Sequence, residues 1–336
     1  MTDEADDTER GGASGRRLSR GRLALRLGVS FGLVAFVLWR AGLGDVAALL
    51  GRISLTGGAI VVLLHTGDRL LMAYKWHRLL RAKSVQVGIG EATRAYYVSS
   101  FASIFLPMTV GADVVRVTVM RGSRVSTETV IASIALERAL GALSQAVFCA
   151  FSVTLIVALR MNVPIESSTL MIGAAAAVLI LSSSLPLSFR IAASARRRLA
   201  SRPGLAGRLG ALAGEYAGWR DHPREIWIFL LLTLIEGVFP IATYLAAATA
   251  LDVPTTAVEM AAVVPVVYLV ARLPISAAGV GVEQGGFAYA AAWLGLMAHA
   301  PAAAISFLVS PITLLIALLP GLVAWVRARH RSATAH

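Results

Sequence analysis

Ionisable residues interrupt sequence that is otherwise apolar: Asp68 and Arg69, Asp113 and Arg116, Glu137 and Arg138, Glu236, Arg272 and Glu283. Inside a membrane-spanning helix each costs ~2.5–3.5 kcal/mol at the centre, so each must have a partner or a use. Arginine suits one use in particular. Its planar fork matches phosphate oxygens two at a time. Two readings stay open for this set: a buried network of ion pairs holding helices together, or arginines facing a cavity that binds phosphate, with Asp113 and Glu137 holding them in place. Neighbouring residues on a helix project about 100° apart. Asp68 and Arg69, and likewise Glu137 and Arg138, are therefore expected to pair across helices, with Glu137–Arg69 or Asp68–Arg138 as candidates. Asp113 and Arg116 stand three apart and can share a helix face.

Two of these groups sit beside matched interruptions. Leu106-Pro107-Met108-Thr109 is followed by Gly111 and Asp113, and Leu273-Pro274-Ile275-Ser276 by Gly279, Gly281 and Glu283. Proline and glycine break helices, and freed backbone groups at membrane depth are tolerated only in protein or beside a polar cavity. Corresponding breaks in two halves of a membrane protein point to a central binding site. A half-helix starting after such a break presents amide donors and a positive dipole end, which suits an anionic headgroup. Gly279, Gly281, Gly285 and Gly286 could let backbone approach a ligand, supply positive φ, or simply allow close helix contact.

The elements that must position these residues are apolar runs at 23–40, 54–75, 94–110, 127–160, 168–188, 225–250, 256–272, 283–298 and 302–326. The chain of 336 residues is 57% hydrophobic and 15% charged, with mean hydropathy +0.72. A soluble domain carries about 25% charged residues. Arginines cluster between the runs, which explains the net charge of +12 through membrane topology rather than nucleic acid. Arg16, Arg17, Arg20 and Arg22, then Lys75, Arg78, Arg81 and Lys83, then Arg190 to Arg220, then Arg327 to Arg331 mark the cytoplasmic side. That places both termini in the cytoplasm. An even number of crossings must then separate residue 85 from residue 200, yet three runs are available. The run 94–110 is expected to dip in and return. Residues 1–22 read as a disordered cytoplasmic tail. The membrane body is expected at 23–328, in halves of about 23–188 and 225–328 around a basic connector at 190–224. Leu205, Leu209, Leu212, Tyr216 and Trp219 form a helical stripe in that connector, either a membrane-surface helix or an ordinary link.

Enzyme signatures are missing. No histidine–glutamate pair is spaced for zinc, and no glycine loop with lysine is present for nucleotide phosphate. His65, His77, His222 and His299 are scattered. Cys149 stands alone, so no intrachain disulfide or thiolate metal cage can form. No catalytic residue, metal or cofactor is expected.

At these residues the chain resembles the transmembrane region of lysylphosphatidylglycerol synthase, the multiple peptide resistance factor family, and its stand-alone flippase-like members. The resemblance rests on Trp76 and Leu79-Leu80, Phe105-Leu106-Pro107 with Gly111, Asp113 and Arg116, Leu136-Glu137-Arg138, and Leu273-Pro274-Ile275-Ser276 with Gly279 and Gly281. It spans roughly residues 20–328. It implies an all-α integral membrane protein of about 7–9 transmembrane or re-entrant helices in two pseudo-symmetric, inverted halves. The sequence ends at His336 without the transferase domain of the aminoacylating members, so lipid aminoacylation is not expected. Where many relatives carry Arg-Glu-Gly, this chain has Glu283-Gln284-Gly285.

The expected function is binding and translocation of an anionic or polyprenyl-linked lipid between leaflets of the cell membrane, passively or coupled to an ion gradient. Proton coupling through Glu236 or Asp113 is one form of this. The candidate headgroup-binding residues are Arg69, Asp113, Arg116, Glu137, Arg138, Arg272, Ser276 and Glu283. Pro107, Thr109, Gly111, Pro274, Gly279 and Gly281 mark the breaks. The partner is a lipid headgroup and not nucleic acid, with a homo-oligomer or a partner membrane enzyme left open. A membrane transferase on a lipid-phosphate substrate, with Asp113 as base, and a non-catalytic scaffold are the alternatives.

Overall fold

The computed structural model describes residues 28–333 except 84–85, 106–108, 122–124, 162, 164 and 273–280. The described chain is all-α. A first helix, α1 (Gly28–Ala41), turns through 88° into α2 (Leu43–Leu50). There follow α3 (Leu55–Ala82), α4 (Ile89–Phe105), α5 (Thr109–Met120) and α6 (Thr127–Ala158). Then come α7 (Ser167–Leu199) and α8 (Leu205–Ala217). The last four are α9 (Pro223–Ala250), α10 (Ala257–Ala271), α11 (Val282–Trp293) and α12 (His299–Ala333). Of these α3, α6, α7 and α9 are each long and apolar enough to cross a membrane, and the bent pair α1–α2 adds a fifth candidate. Large apolar side chains such as Trp39, Leu63, Ile172 and Trp227 point outward, as they do where the solvent is hydrocarbon.

Helix starts are written locally. Ser54 and Ser126 accept the backbone N–H three residues on at the starts of α3 and α6, and Thr256 with Glu259 forms a reciprocal capping box at α10. Pro265 lies inside α10. It has no N–H for the carbonyl of Ala261. The Ser152 hydroxyl of α6 donates to that carbonyl at 2.8 Å, so the break is repaired by a neighbouring helix rather than by water.

Two quartets correspond. α3–α4–α5–α6 run long, short, short, long at 28, 17, 12 and 32 residues. α9–α10–α11–α12 repeat the order at 28, 15, 12 and 35. Packing follows the same correspondence: α3 lies on α9, α4 on α12 and α10 on α6, while α4 packs on α5 and α10 on α11. A 12-residue helix is about 18 Å long, well short of a ~30 Å hydrocarbon core. Between residues 85 and 200 there are thus two full-length helices, α6 and α7, and one short pair. That arrangement meets the parity requirement.

Several boundaries differ from the sequence reading. α3 runs on past residue 75, so Lys75, Arg78 and Arg81 belong to a helix and not to a loop. α5 follows the break as a helix of its own. α7 continues to Leu199 and ends in Arg196, Arg197 and Arg198, where cations face the negative end of the helix dipole. The connector stripe is divided. Trp219 is buried and the Tyr216 hydroxyl meets that of Ser188 at 2.9 Å, whereas Leu205 and Leu209 are exposed.

α3 and α9 approach closely at Gly57. A Cβ there would lie 2.3 Å from that of Ala250. Gly57→Ala is expected to cost about 1–3 kcal/mol through overpacking, measured by equilibrium unfolding in detergent.

Candidate functional site

α5 presents Asp113 and Arg116 on one face, and that face meets Glu137 and Arg138 of α6. The pairing is crossed. Arg116 donates from Nη1 to Glu137 Oε2 at 2.6 Å, and Arg138 from Nη2 to Asp113 Oδ1 at 2.9 Å. Adjacent residues on α6 thereby each find a partner three residues apart on α5. The two pairs live in different surroundings. The Arg116 side chain is 6% exposed and that of Arg138 is 52% exposed. The Arg116 guanidinium lies between the rings of Trp76 and Tyr96, 5.0 and 4.5 Å from their centroids, a desolvated cation–π sandwich. Trp76 is fixed by donation from Nε1 to Ser133 Oγ at 3.1 Å, and the Tyr96 hydroxyl reaches Glu137 at 3.4 Å.

Glu137 and Arg138 do pair across helices, but with α5 rather than with Arg69 and Asp68. Those two pair with each other. Arg69 donates from Nη2 and Nε to Asp68 Oδ2 at 2.6 and 3.0 Å. The angular argument failed because the guanidinium sits on a stem long enough to curl back over its neighbour. Lys75 is buried in α3 and donates to Glu236 of α9 and, at 3.1 Å, to Thr233 Oγ1. Its ammonium also lies 4.9 Å from the Phe229 ring centroid. Lys75 was misread because positive charge near an apolar run usually marks a loop. Its seven-residue spacing from Asp68, which places both on one face of α3, was the available signal.

In the second quartet Arg272 follows α10 directly and Glu283 stands in the first turn of α11. The Tyr244 hydroxyl donates to Glu283 Oε1 at 2.9 Å, and Tyr268 also bonds it. The positive end of α11 therefore faces a carboxylate of this chain. Gly281 caps α11 with φ +84°, and a Cβ there would lie 2.8 Å from the Ser30 carbonyl oxygen. Gly285 and Gly286 lie against Val37 and Val267, which is close helix contact. Gly111 and Thr109 lie in the first turn of α5. Pro107, Pro274, Ser276 and Gly279 lie outside the described residues.

Arg69, Lys75, Arg116, Arg138 and Arg272, with Asp68, Asp113, Glu137, Glu236 and Glu283, form one linked electrostatic group. Lys75 is within range of Glu137, Asp68, Arg69 and Arg272; Arg272 of Arg138; and Glu283 of Arg69. Four ion pairs use four of the five cations. Among the described residues Arg272 has no carboxylate partner, and the segment 273–280 contains no acid. What remains is an exposed, uncompensated guanidinium beside the most exposed ion pair of the group. Such an arrangement can bind a phosphate.

No curated protein and no solved structure matches the chain. The family model described as lysylphosphatidylglycerol synthase TM region matches residues 23–321. With that match over nearly the whole chain, and with its apolar helices, this is a multi-pass membrane protein that belongs to the lysylphosphatidylglycerol synthase transmembrane-region family.

Proposed function

We propose that this protein binds the headgroup of an anionic lipid at Arg272 and Arg138 and moves that lipid between leaflets. The observation that carries the reading is Arg272 next to Arg138, with no carboxylate partner among the described residues. A guanidinium without a direct counter-ion at membrane depth is costly, and a lipid phosphate would give Arg272 the contact that, among the described residues, no carboxylate supplies. The matched quartets support alternating exposure of one site, since inverted repeats rocking about a central site are a common transporter plan. Asp113, the base that a transferase would need, is engaged by Arg138, which favours transport over catalysis. Arginine-rich ends favour cytoplasmic termini in the cell membrane.

The test is reconstitution. Vesicles with the purified protein and a headgroup-labelled phosphatidylglycerol should show protein-dependent leaflet exchange by dithionite quenching. Arg272→Gln should slow exchange at least about tenfold, equivalent to ~1.4 kcal/mol, with an unchanged elution profile. Exchange by Arg272→Gln at the unsubstituted rate would overturn the assignment.

A further inference from the structure

α7 and α10 both pack on α6 but, among the described residues, not on each other. Between them lies a trough floored by α6, with a cavity of about 520 Å³. Its floor is a stripe of small residues that includes Ala142, Ala146 and Cys149 and ends at Val153, and its far wall includes Gly173 and Ala177 of α7. Arg272 stands at its α10 edge. The floor is dry in character, because the Gln145 amide is already used on the Pro265 carbonyl of α10 at 2.8 Å. From Ala142 to Val153 the trough follows α6 for about 16 Å, close to half of a ~30 Å hydrocarbon core. Its volume is that of an ordinary ligand pocket, about 300–1,000 Å³. Arg138 stands one helical turn before Ala142, so the stripe leads toward the two arginines of the headgroup site.

We propose that this trough holds one acyl chain of the anionic phospholipid whose headgroup lies at Arg272 and Arg138. The proposal rests on that headgroup reading and adds the path of the chain. Charge picks the occupant: an apolar slot one leaflet deep that ends at a guanidinium with no carboxylate partner among the described residues fits a chain carrying a phosphate. Zwitterionic lipid would bring its own cation to that end. The small residues are what keep the slot open, so enlarging one of them should close it. At Gly173 an added Cβ would meet nothing within 4 Å, so the side chain of Gly173→Leu starts into open space.

The experiment uses the full chain in phosphatidylcholine vesicles doped with phosphatidylglycerol that bears a diazirine on one acyl chain. After irradiation, adducts are mapped by mass spectrometry. Adducts should concentrate on peptides covering 142–153 and 169–181. They should fall about tenfold, a ~1.4 kcal/mol loss, in Gly173→Leu, in Ala177→Leu and in Arg272→Gln. The matching phosphatidylcholine probe should label these peptides weakly and regardless of Arg272. Adducts spread over outward faces such as that of α1, or trough adducts indifferent to both Arg272 and headgroup charge, would overturn the proposal, because lipid coating any membrane protein does the same. Adducts elsewhere together with Arg272-dependent exchange would remove the trough and leave the headgroup reading standing. Trough adducts together with Arg272-independent exchange would remove the headgroup reading instead.

Discussion

Replacing Arg116 with alanine is expected to destabilise the protein by about 3–5 kcal/mol, the usual cost of removing one partner from a buried ion pair. Three losses coincide at this position. Glu137, whose side chain is 15% exposed, keeps its charge and loses the one direct ion-pair partner it has among the described residues. The slot between Trp76 and Tyr96 is emptied of a planar group. The contact of α5 with α6 then keeps the more exposed Asp113–Arg138 pair and the apolar cluster of Met120 with Val130 and Ile134, but no buried ion pair. Arg116→Lys should recover only part of the loss, because a compact ammonium cannot fill a slot between two rings or present a fork to the carboxylate. Arg116→Met combined with Glu137→Leu should recover most of it, since no charge then remains to be buried. Equilibrium unfolding of the four proteins in one detergent gives the comparison. A single alanine variant as stable as the parent would show that Arg116 is not built into the fold. Its loss of transport in vesicles would by itself say little about lipid binding, unlike that of Arg272, which has no carboxylate partner among the described residues.

The second large effect is expected at Lys75 and Glu236, the pair that ties α3 to α9 and so one quartet to the other. Lys75→Met leaves a carboxylate among apolar helices, and Glu236→Leu leaves an ammonium there. Each should cost about 3–5 kcal/mol. The double variant should be far more stable than the sum of the singles, with a coupling energy of about 2–3 kcal/mol. Additive losses would mean that the two groups act separately. The same double variant bears on transport. If Glu236 serves only as half of an interhelical tie, lipid exchange persists when both charges are gone. If Glu236 carried protons, exchange would be lost while stability was restored. The expected outcome is persistence, because Glu236 is engaged by Lys75, itself held by Thr233, where α3 meets α9.

Much of this architecture was legible along the chain. Apolar runs, proline and glycine interruptions and basic flanks are local features, and helix formation answers to local features. α4 and α5 flank Pro107 and α10 and α11 flank Pro274, and the family resemblance built on residues around them agrees with the match over 23–321. Counting crossings against basic flanks also indicated that one run must fall short of spanning.

Partner choice was not legible, and the reason is geometric. Asp68, Glu137, Arg69 and Arg138 each needed a counter-charge, but sequence spacing specifies only which face of its own helix a side chain occupies. Which helix lies opposite, and at what height, is decided by packing over the whole quartet. α5 met α6 at the level of residues 137 and 138, so Arg116 and Asp113 took those partners and Arg69 folded back on Asp68. The same packing turned Lys75 from a loop marker into a buried tie. Among the described residues it also left Arg272 without a carboxylate while the other four cations of the group paired. Composition and helix breaks determined that a polar group would sit among membrane helices; the docking of α5 on α6 and of α3 on α9 determined which cations found carboxylates among the described residues, because Coulomb attraction acts over a few ångströms and only folding sets those distances.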